Sequence, residues 1–240
     1  MKIIGIDCAT QPNKTGLALG EWDGESCTVL EIQKGSQTHL PVDVVRGWLD
    51  DQQTLLALDA PLGWPRAMGE RLAEHQAGQL LGETSNHFFS RNTDRFVREK
   101  TGKRPLEVGA ALIARTAHAS LAFLEDLRCR SGRPIPLAWD PNVEEVRAIE
   151  VYPAATLISH GIPHEGYKGY KGLIVHQEIL RELENSMVLP DECSHVEGND
   201  DLLDAVICIL AAVDFLEGNV HFPENPELAQ KEGWIWFYSR

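Results

Sequence analysis

Acidic residues stand at the ends of the predicted β-strands, and their types and spacing could support metal-dependent chemistry. Asp7 ends the first β-rich run, Asp59 ends the apolar run of the fourth predicted strand, and Glu150 lies in the fifth. The carboxyl ends of parallel strands meet along one edge of a sheet, where ligands of open α/β sheets tend to bind. We therefore expect these side chains to lie along one edge.

The last predicted helix, residues 201–216, carries two further acids. Asp201 and Asp204 are spaced i and i+3, so they share a helix face. Asp204 lies among Leu, Ala, Val, Ile and Cys, where an unpaired carboxylate would be costly. The neighbouring Asp200 points elsewhere and is explained by helix capping and the helix dipole.

Carboxylates that are brought together repel one another unless a cation joins them. Oxygen ligands favour Mg²⁺ or Mn²⁺, and two such ions roughly 3.5–4 Å apart would activate water and stabilise the leaving oxygen in phosphodiester hydrolysis. The predicted metal ligands are four aspartates: Asp7, Asp59, Asp201 and Asp204. Glu150 is predicted as a further catalytic residue.

Each acid also has a purely structural explanation. Aspartate is a common turn residue where a strand ends, which would account for Asp7 or Asp59 taken singly. Glu150 could instead be the partner of an arginine such as Arg147. The metal hypothesis therefore depends on the combination of acids.

Hydrophobic periodicity predicts a mixed α/β fold with the element order β-β-β-α-β, a helical insert, then β, α, α. The insert covers about residues 66–140 of a single 1–240 domain, because no linker divides the chain. The predicted strands are 2–7, 15–22, 27–34, 54–59 and 147–152, with 233–238 as a strand or edge segment. The predicted helices are 42–50, 66–81, 106–130, 173–187 and 201–216.

Several motifs in this order resemble those of the ribonuclease H-like nucleases. They are GIDCAT around Asp7, ALDAPLGWP around Asp59, RNTDR, EVYPA, the YK pair and NDDLLDAVICILAA. The last motif is similar to the D-x-x-D-A helix of Holliday-junction resolvases of that fold. More closely, nearly the whole chain resembles the domain-of-unknown-function family four hundred and twenty-nine. That resemblance implies a ribonuclease H-like sheet of three antiparallel and two parallel strands, flanked by helices, and a nuclease activity.

Two basic segments are candidates for holding a phosphate chain. Residues 91–104 carry six Lys or Arg and two acidic residues, and Arg91 and Arg95 match the family motif. The glycine-rich loop 167–172 carries Lys168 and Lys171. The predicted substrate-binding residues are Arg91, Arg95, Lys168 and Lys171. A solvated helix-loop and a plain surface loop are the alternatives.

The bulk charge limits the choice of partner. The chain has 240 residues, with 36 Asp or Glu against 22 Lys or Arg, so its net charge is −14. This argues against a protein that coats nucleic acid by bulk positive charge, so a nucleic-acid substrate would be held weakly or selectively. A small phosphate-bearing substrate is the alternative.

Two further classes of protein share the predicted fold. One is an ATP-using phosphotransferase of the actin-like branch, although residues 8–16 lack its glycine-rich phosphate hairpin. The other is a non-catalytic binding module. Five scattered cysteines predict a reducing cytoplasm, and the longest apolar stretch, 205–213, is too short to cross a membrane.

Overall fold

The structure is a computed structural model that describes residues 1–109, 111–169, 172–191 and 193–239. Its strands are β1 Lys2–Asp7, β2 Gly16–Trp22, β3 Cys27–Lys34, β4 Thr54–Asp59, β5 Val146–Val151 and β6 Ile235–Trp236. They form a mixed sheet in the order β3-β2-β1-β4-β5-β6. Strand β2 runs antiparallel to both of its neighbours, β1 and β3, whereas β1, β4, β5 and β6 are parallel to one another. This arrangement confirms the predicted three antiparallel and two parallel strands. The short β6 lies within the segment 233–238, which was predicted as a strand or edge segment.

Helices cover both faces of the sheet, and four of those described lie between β4 and β5. A 3₁₀ turn, Pro12–Lys14, joins β1 to β2. The α-helices of the described residues are α1 Pro41–Trp48, α2 Arg66–Leu72, α3 Ser85–Phe89, α4 Asn92–Thr101, α5 Ala111–Ser131, α6 Pro153–His160, α7 Leu173–Leu183, α8 Asp200–Leu216 and α9 Pro226–Glu232. None of them is both long and apolar enough to cross a bilayer.

The two faces of the sheet bury separate cores because side chains alternate along each strand. In β1, Ile3 packs on the face covered by α8, whereas Ile4 and Ile6 pack with α1 and α5 on the opposite face. Helix α8 is buried almost all round, since residues Leu202 to Phe215 lie in the interior. Its apolar sequence is thus that of a central helix, as its composition predicts.

The predicted helix bounds are partly wrong. The helix expected over 66–81 ends at Leu72, and Gly78 and Gly82 take positive φ values beyond it. Pro153 follows β5 and opens α6 at the first helical position, where its missing N–H costs nothing. Helices α3, α4, α6 and α9 were not predicted as separate elements.

Candidate functional site

Strands β1 and β4 bring two of the predicted acids side by side. Asp7 and Asp59 are the last residues of these parallel strands and are direct partners in their register. Both therefore point to the same face, the face that α8 covers. The sequence-based expectation that the strand-end acids meet holds for this pair.

Helix α8 brings the third acid, and two glycines allow it to come close enough. A Cβ on Gly5 would lie 2.0 Å from the carbonyl oxygen of Ala205, and a Cβ on Gly16 would lie 1.9 Å from that of Asp201. Any side chain at these positions would push the helix away from β1 and β2. This backbone approach sets the first turns of α8 over the end of β1, where Asp204 faces the two strand-end aspartates.

Asp7, Asp59 and Asp204 form the carboxylate cluster. One carboxylate oxygen from each lies within 4.8 Å of the others. Burial, followed by the charges of neighbouring acids, raises the pKa of Asp7 to about 10. Burial and the charge of Asp204 raise the pKa of Asp59 to about 8, and burial raises that of Asp204 as well. Three carboxylates here resist ionising together, which is the electrostatic condition that a bound cation relieves.

The loop before α7 reaches into the cluster with two side chains. The Tyr167 hydroxyl donates to Asp204 Oδ1 at 2.9 Å, and Lys168 Nζ donates to Asp204 Oδ2 at 2.7 Å. Burial alone would lower the pKa of Lys168, but the charge of Asp204 raises it above its ordinary value. Lys168 was predicted to hold substrate. The structure places it on a carboxylate of the cluster while leaving its side chain 61% exposed.

A buried histidine holds this loop against the start of α8. His176 Nε2 lies 2.7 Å from the Tyr167 carbonyl oxygen and 3.2 Å from Asp200 Oδ1, while its Nδ1 accepts from the Gly198 N–H. Asp200 Oδ2 also accepts from the Gly169 N–H at 2.8 Å. Asp200 therefore anchors the loop.

The structure does not bring Asp201 into the cluster, in contrast to our expectation. Its Oδ2 lies 2.6 Å from Lys34 Nζ on β3. The charge of Asp201 still contributes to the raised pKa of Asp7, so the two side chains are near one another. Helix spacing placed Asp201 and Asp204 on one face but could not reveal that Lys34 takes one of them.

Glu150 lies on the opposite face of the sheet from the cluster. Its register partner on β4 is Leu58, one residue before Asp59, so alternation places it on the other face, while its charge still contributes to the raised pKa of Asp59. Its partner is not Arg147 but Arg91, whose Nη2 and Nη1 donate to Oε1 and Oε2 at 2.6 and 2.9 Å.

Arg91 was predicted to contact phosphate at the surface, but its side chain is 1% exposed. Besides Glu150 it binds Asp94, with Nη2 to Oδ1 at 2.8 Å. Glu150 Oε2 in turn accepts from the Leu62 N–H at 2.9 Å, close behind Asp59 in the chain. The buried Arg91–Asp94–Glu150 network thus joins α4, β5 and the loop after β4, and Arg91 supports the site from within.

The remaining candidate that the structure describes, Arg95, lies on α4. Arg95 is half-buried and its Nη1 donates to the carbonyl oxygens of Asn86 and Ser90. Phe96, the next residue of α4, packs against Trp234, with ring centroids 5.1 Å apart. Lys171 lies outside the described residues.

A protein-family model matches most of the chain. The model of a family described as a protein of unknown function (DUF429) matches residues 5–228. The chain belongs to this family. The match includes every member of the carboxylate cluster, so the cluster is part of the DUF429 region.

Comparison with curated proteins and with solved structures adds less than the family match. None of the curated proteins matches the chain in sequence. One solved structure similar to it is described as T. thermophilus RuvC in complex with Holliday junction substrate. The two chains are 13% identical, and the alignment covers 87% of this chain and 91% of that one, with a TM-score of 0.32.

Sequence reasoning missed three residues that shape the site. Tyr167, His176 and Lys34 each bind an acid of α8, at Asp204, Asp200 and Asp201 respectively. The YK pair, quoted among the family motifs, was a signal for Tyr167. His176 sits on an apolar helix face, which favours packing over function, and nothing near Lys34 in the sequence indicates its partner.

Proposed function

We propose that this protein is a divalent-metal-dependent nuclease that hydrolyses phosphodiester bonds at the carboxylate cluster. The observation that carries the proposal is the convergence of Asp7, Asp59 and Asp204 within 4.8 Å. These side chains come from two strands and a helix that are far apart in the chain. Acids that are buried together at the carboxyl edge of a sheet are costly unless they serve a ligand.

The donor set fits a hard divalent cation. All three residues offer carboxylate oxygens, which favour Mg²⁺ or Mn²⁺. The raised pKa values of Asp7 and Asp59 reflect burial and mutual repulsion, which a divalent cation would offset. A cation held there would supply Lewis acidity to a phosphoryl oxygen and make water a better nucleophile at neutral pH. In this proposal the three aspartates are its ligands.

Neighbouring residues have separate parts in the proposal. Tyr167 and Lys168 orient the Asp204 carboxylate through their hydrogen bonds. The Lys168 ammonium is also exposed enough to approach a phosphate group. Asp201, paired with Lys34, contributes negative charge from beside the cluster. Glu150 supports the loop that follows Asp59.

The test is cleavage of a panel of single-stranded, duplex and branched DNA and RNA with Mg²⁺ or Mn²⁺ by the wild type and by Asp7→Asn. The matched control is Asp51→Asn, an exposed acid paired with Arg133. We expect metal-dependent cleavage that Asp7→Asn abolishes and Asp51→Asn retains. An intact panel under both metals, or cleavage that survives Asp7→Asn, would contradict the proposal.

A further inference from the structure

Two cavities flank the segment that follows α4, and cationic side chains line both. We propose that they form one track that holds a single nucleic-acid strand, leading from the carboxylate cluster over Lys103 and Arg104 to the surface of α4. This inference rests on the proposed function and deepens it, because it names the substrate class as a strand that extends well beyond the reacting phosphate.

The first cavity opens beside the cluster. It has a volume of about 470 Å³, and Asp59 forms part of its wall together with Lys168, Lys103 and His164. This volume lies in the range of ligand-binding sites. Lys103 is exposed, and among the described residues no carboxylate lies within 4.0 Å of its ammonium group. The cavity therefore offers a free cation close to one of the proposed metal ligands.

The second cavity lies along α4 and has a volume of about 320 Å³. Three arginines line it: Arg95, Arg98 and Arg104. Hydrogen bonds to the carbonyl oxygens of Asn86 and Ser90 hold the Arg95 guanidinium in place.

The second cavity carries more arginine charge than the acidic residues of its wall neutralise. Arg98 is exposed, and within the described part of the chain no carboxylate lies within 4.0 Å of it. The acids of the wall are already engaged, since Asp94 binds the buried Arg91 and Glu99 lies 3.4 Å from Lys100. Arg104 pairs with Glu107. A bound anion would therefore meet net positive charge.

Neighbouring residues of one segment border the two cavities. Lys103 lines the first and the next residue, Arg104, lines the second, so both open on the same short segment. One mononucleotide can fill one cavity, whereas a strand with successive phosphates can engage both. Grooves that track a single-stranded backbone with Lys and Arg are the usual solution for such ligands.

The charge distribution favours a strand over a long duplex. With a net charge of −14, the chain repels polyanions except where cations are concentrated. The described cations of the track are confined to the loop before α7 and the segment from α4 to Arg104. A duplex presents its second strand to the acidic remainder, and a single strand does not.

The experiment measures binding of a fluorescently labelled oligodeoxythymidylate to the full chain in Ca²⁺ over a series of salt concentrations. The variant Arg98→Glu/Lys103→Glu is compared with Arg46→Glu. Arg46 is an exposed arginine of α1 that lines neither cavity and has no carboxylate within 4.0 Å among the described residues. Thermal melts check that both variants fold.

We expect the double variant to weaken binding by about tenfold or more and to reduce the salt slope by roughly 0.7 for each lost phosphate contact. Arg46→Glu should bind like the wild type. Equal binding by the double variant and Arg46→Glu would overturn the track, as would equal affinity for thymidylyl dinucleotide or for a duplex. Strand binding that depends on these cations, without cleavage of the strand in Mg²⁺ or Mn²⁺, would refute the proposed hydrolysis but would still support the track.

Discussion

Asp7 and Asp59 are register partners on adjacent parallel strands, and each is the last residue of its strand. The sheet thus places two carboxylates next to each other before α8 adds the third. The main chain sets their separation, so local side-chain rearrangement cannot remove their repulsion. This arrangement makes the site sensitive to charge, to pH and to the position of α8.

The first prediction separates the two acids of α8. Asp204→Asn removes a member of the cluster, so Mn²⁺ affinity measured by calorimetry should fall by more than the 10- to 100-fold typical of outer-shell changes. Asp201→Asn removes an acid that binds Lys34, and the loss should be about 10-fold or less. Similar losses from the two substitutions would mean that Asp201 is itself a ligand.

The second prediction concerns Gly5 and the approach of α8. Gly5→Ala places a Cβ against the Ala205 carbonyl oxygen, so the free energy of unfolding should fall by about 1–3 kcal/mol and metal affinity should drop with it. Gly47→Ala is the matched control because a Cβ there meets open space in α1, and it should stabilise by about 0.5–1 kcal/mol. Urea unfolding measures both. Tolerance of Gly5→Ala with unchanged metal binding would refute this account of the helix position.

The third prediction concerns pH. The folded-state pKa values of Asp7 and Asp59, about 10 and about 8, lie above the ordinary aspartate value of 3.8, so the folded chain retains protons that the unfolded chain has lost. Metal-free stability should therefore fall as pH rises from about 4 through 8 and towards 10. Saturating Mg²⁺ should flatten this decline, because a cation replaces the protons. Melting temperatures across pH with and without Mg²⁺ measure the effect, and a metal-free curve that rises over this range would contradict it.

The fourth prediction concerns the buried network around Arg91. Arg91→Met leaves Glu150 and Asp94 buried without their cation, so the free energy of unfolding should fall by about 3–5 kcal/mol. Arg71→Met, which breaks the exposed pair with Glu83, should cost about 0–1 kcal/mol. Denaturant unfolding measures the loss of unfolding free energy in each of the two variants. Equal losses would show that the buried network contributes no more than a surface pair.

The sequence predicted the parts of the site that depend on local pattern. Strand periodicity located the ends of β1 and β4, and the apolar composition of α8 made Asp204 conspicuous. The position of Glu150 depends on register, since partnership of Asp59 with Val151 rather than Glu150 turns the glutamate to the other face. Register between strands separated by four described helices is a tertiary property that periodicity does not encode.

Charge pairing was the least predictable part. Arg91 and Lys168 were both expected to meet phosphate, and one is buried against Glu150 while the other binds Asp204. A basic side chain has the same sequence signature in either setting. The difference arises from which acid the folded chain brings within reach, as it does for Lys34 and Asp201.

The Arg91 network has a consequence for the products of the proposed reaction. The network links the start of α4 to β5 and to the loop that follows Asp59. Two hydrogen bonds add to this: the Ile235 N–H donates to the Thr93 hydroxyl, and the Asn92 N–H donates to the Glu232 carboxylate. A strand gripped along α4 would therefore be measured against a fixed length of protein. The distance from the arginines of α4 to the carboxylate cluster would then be constant. Fragments cut from a strand whose end the arginines hold should therefore be uniform in length.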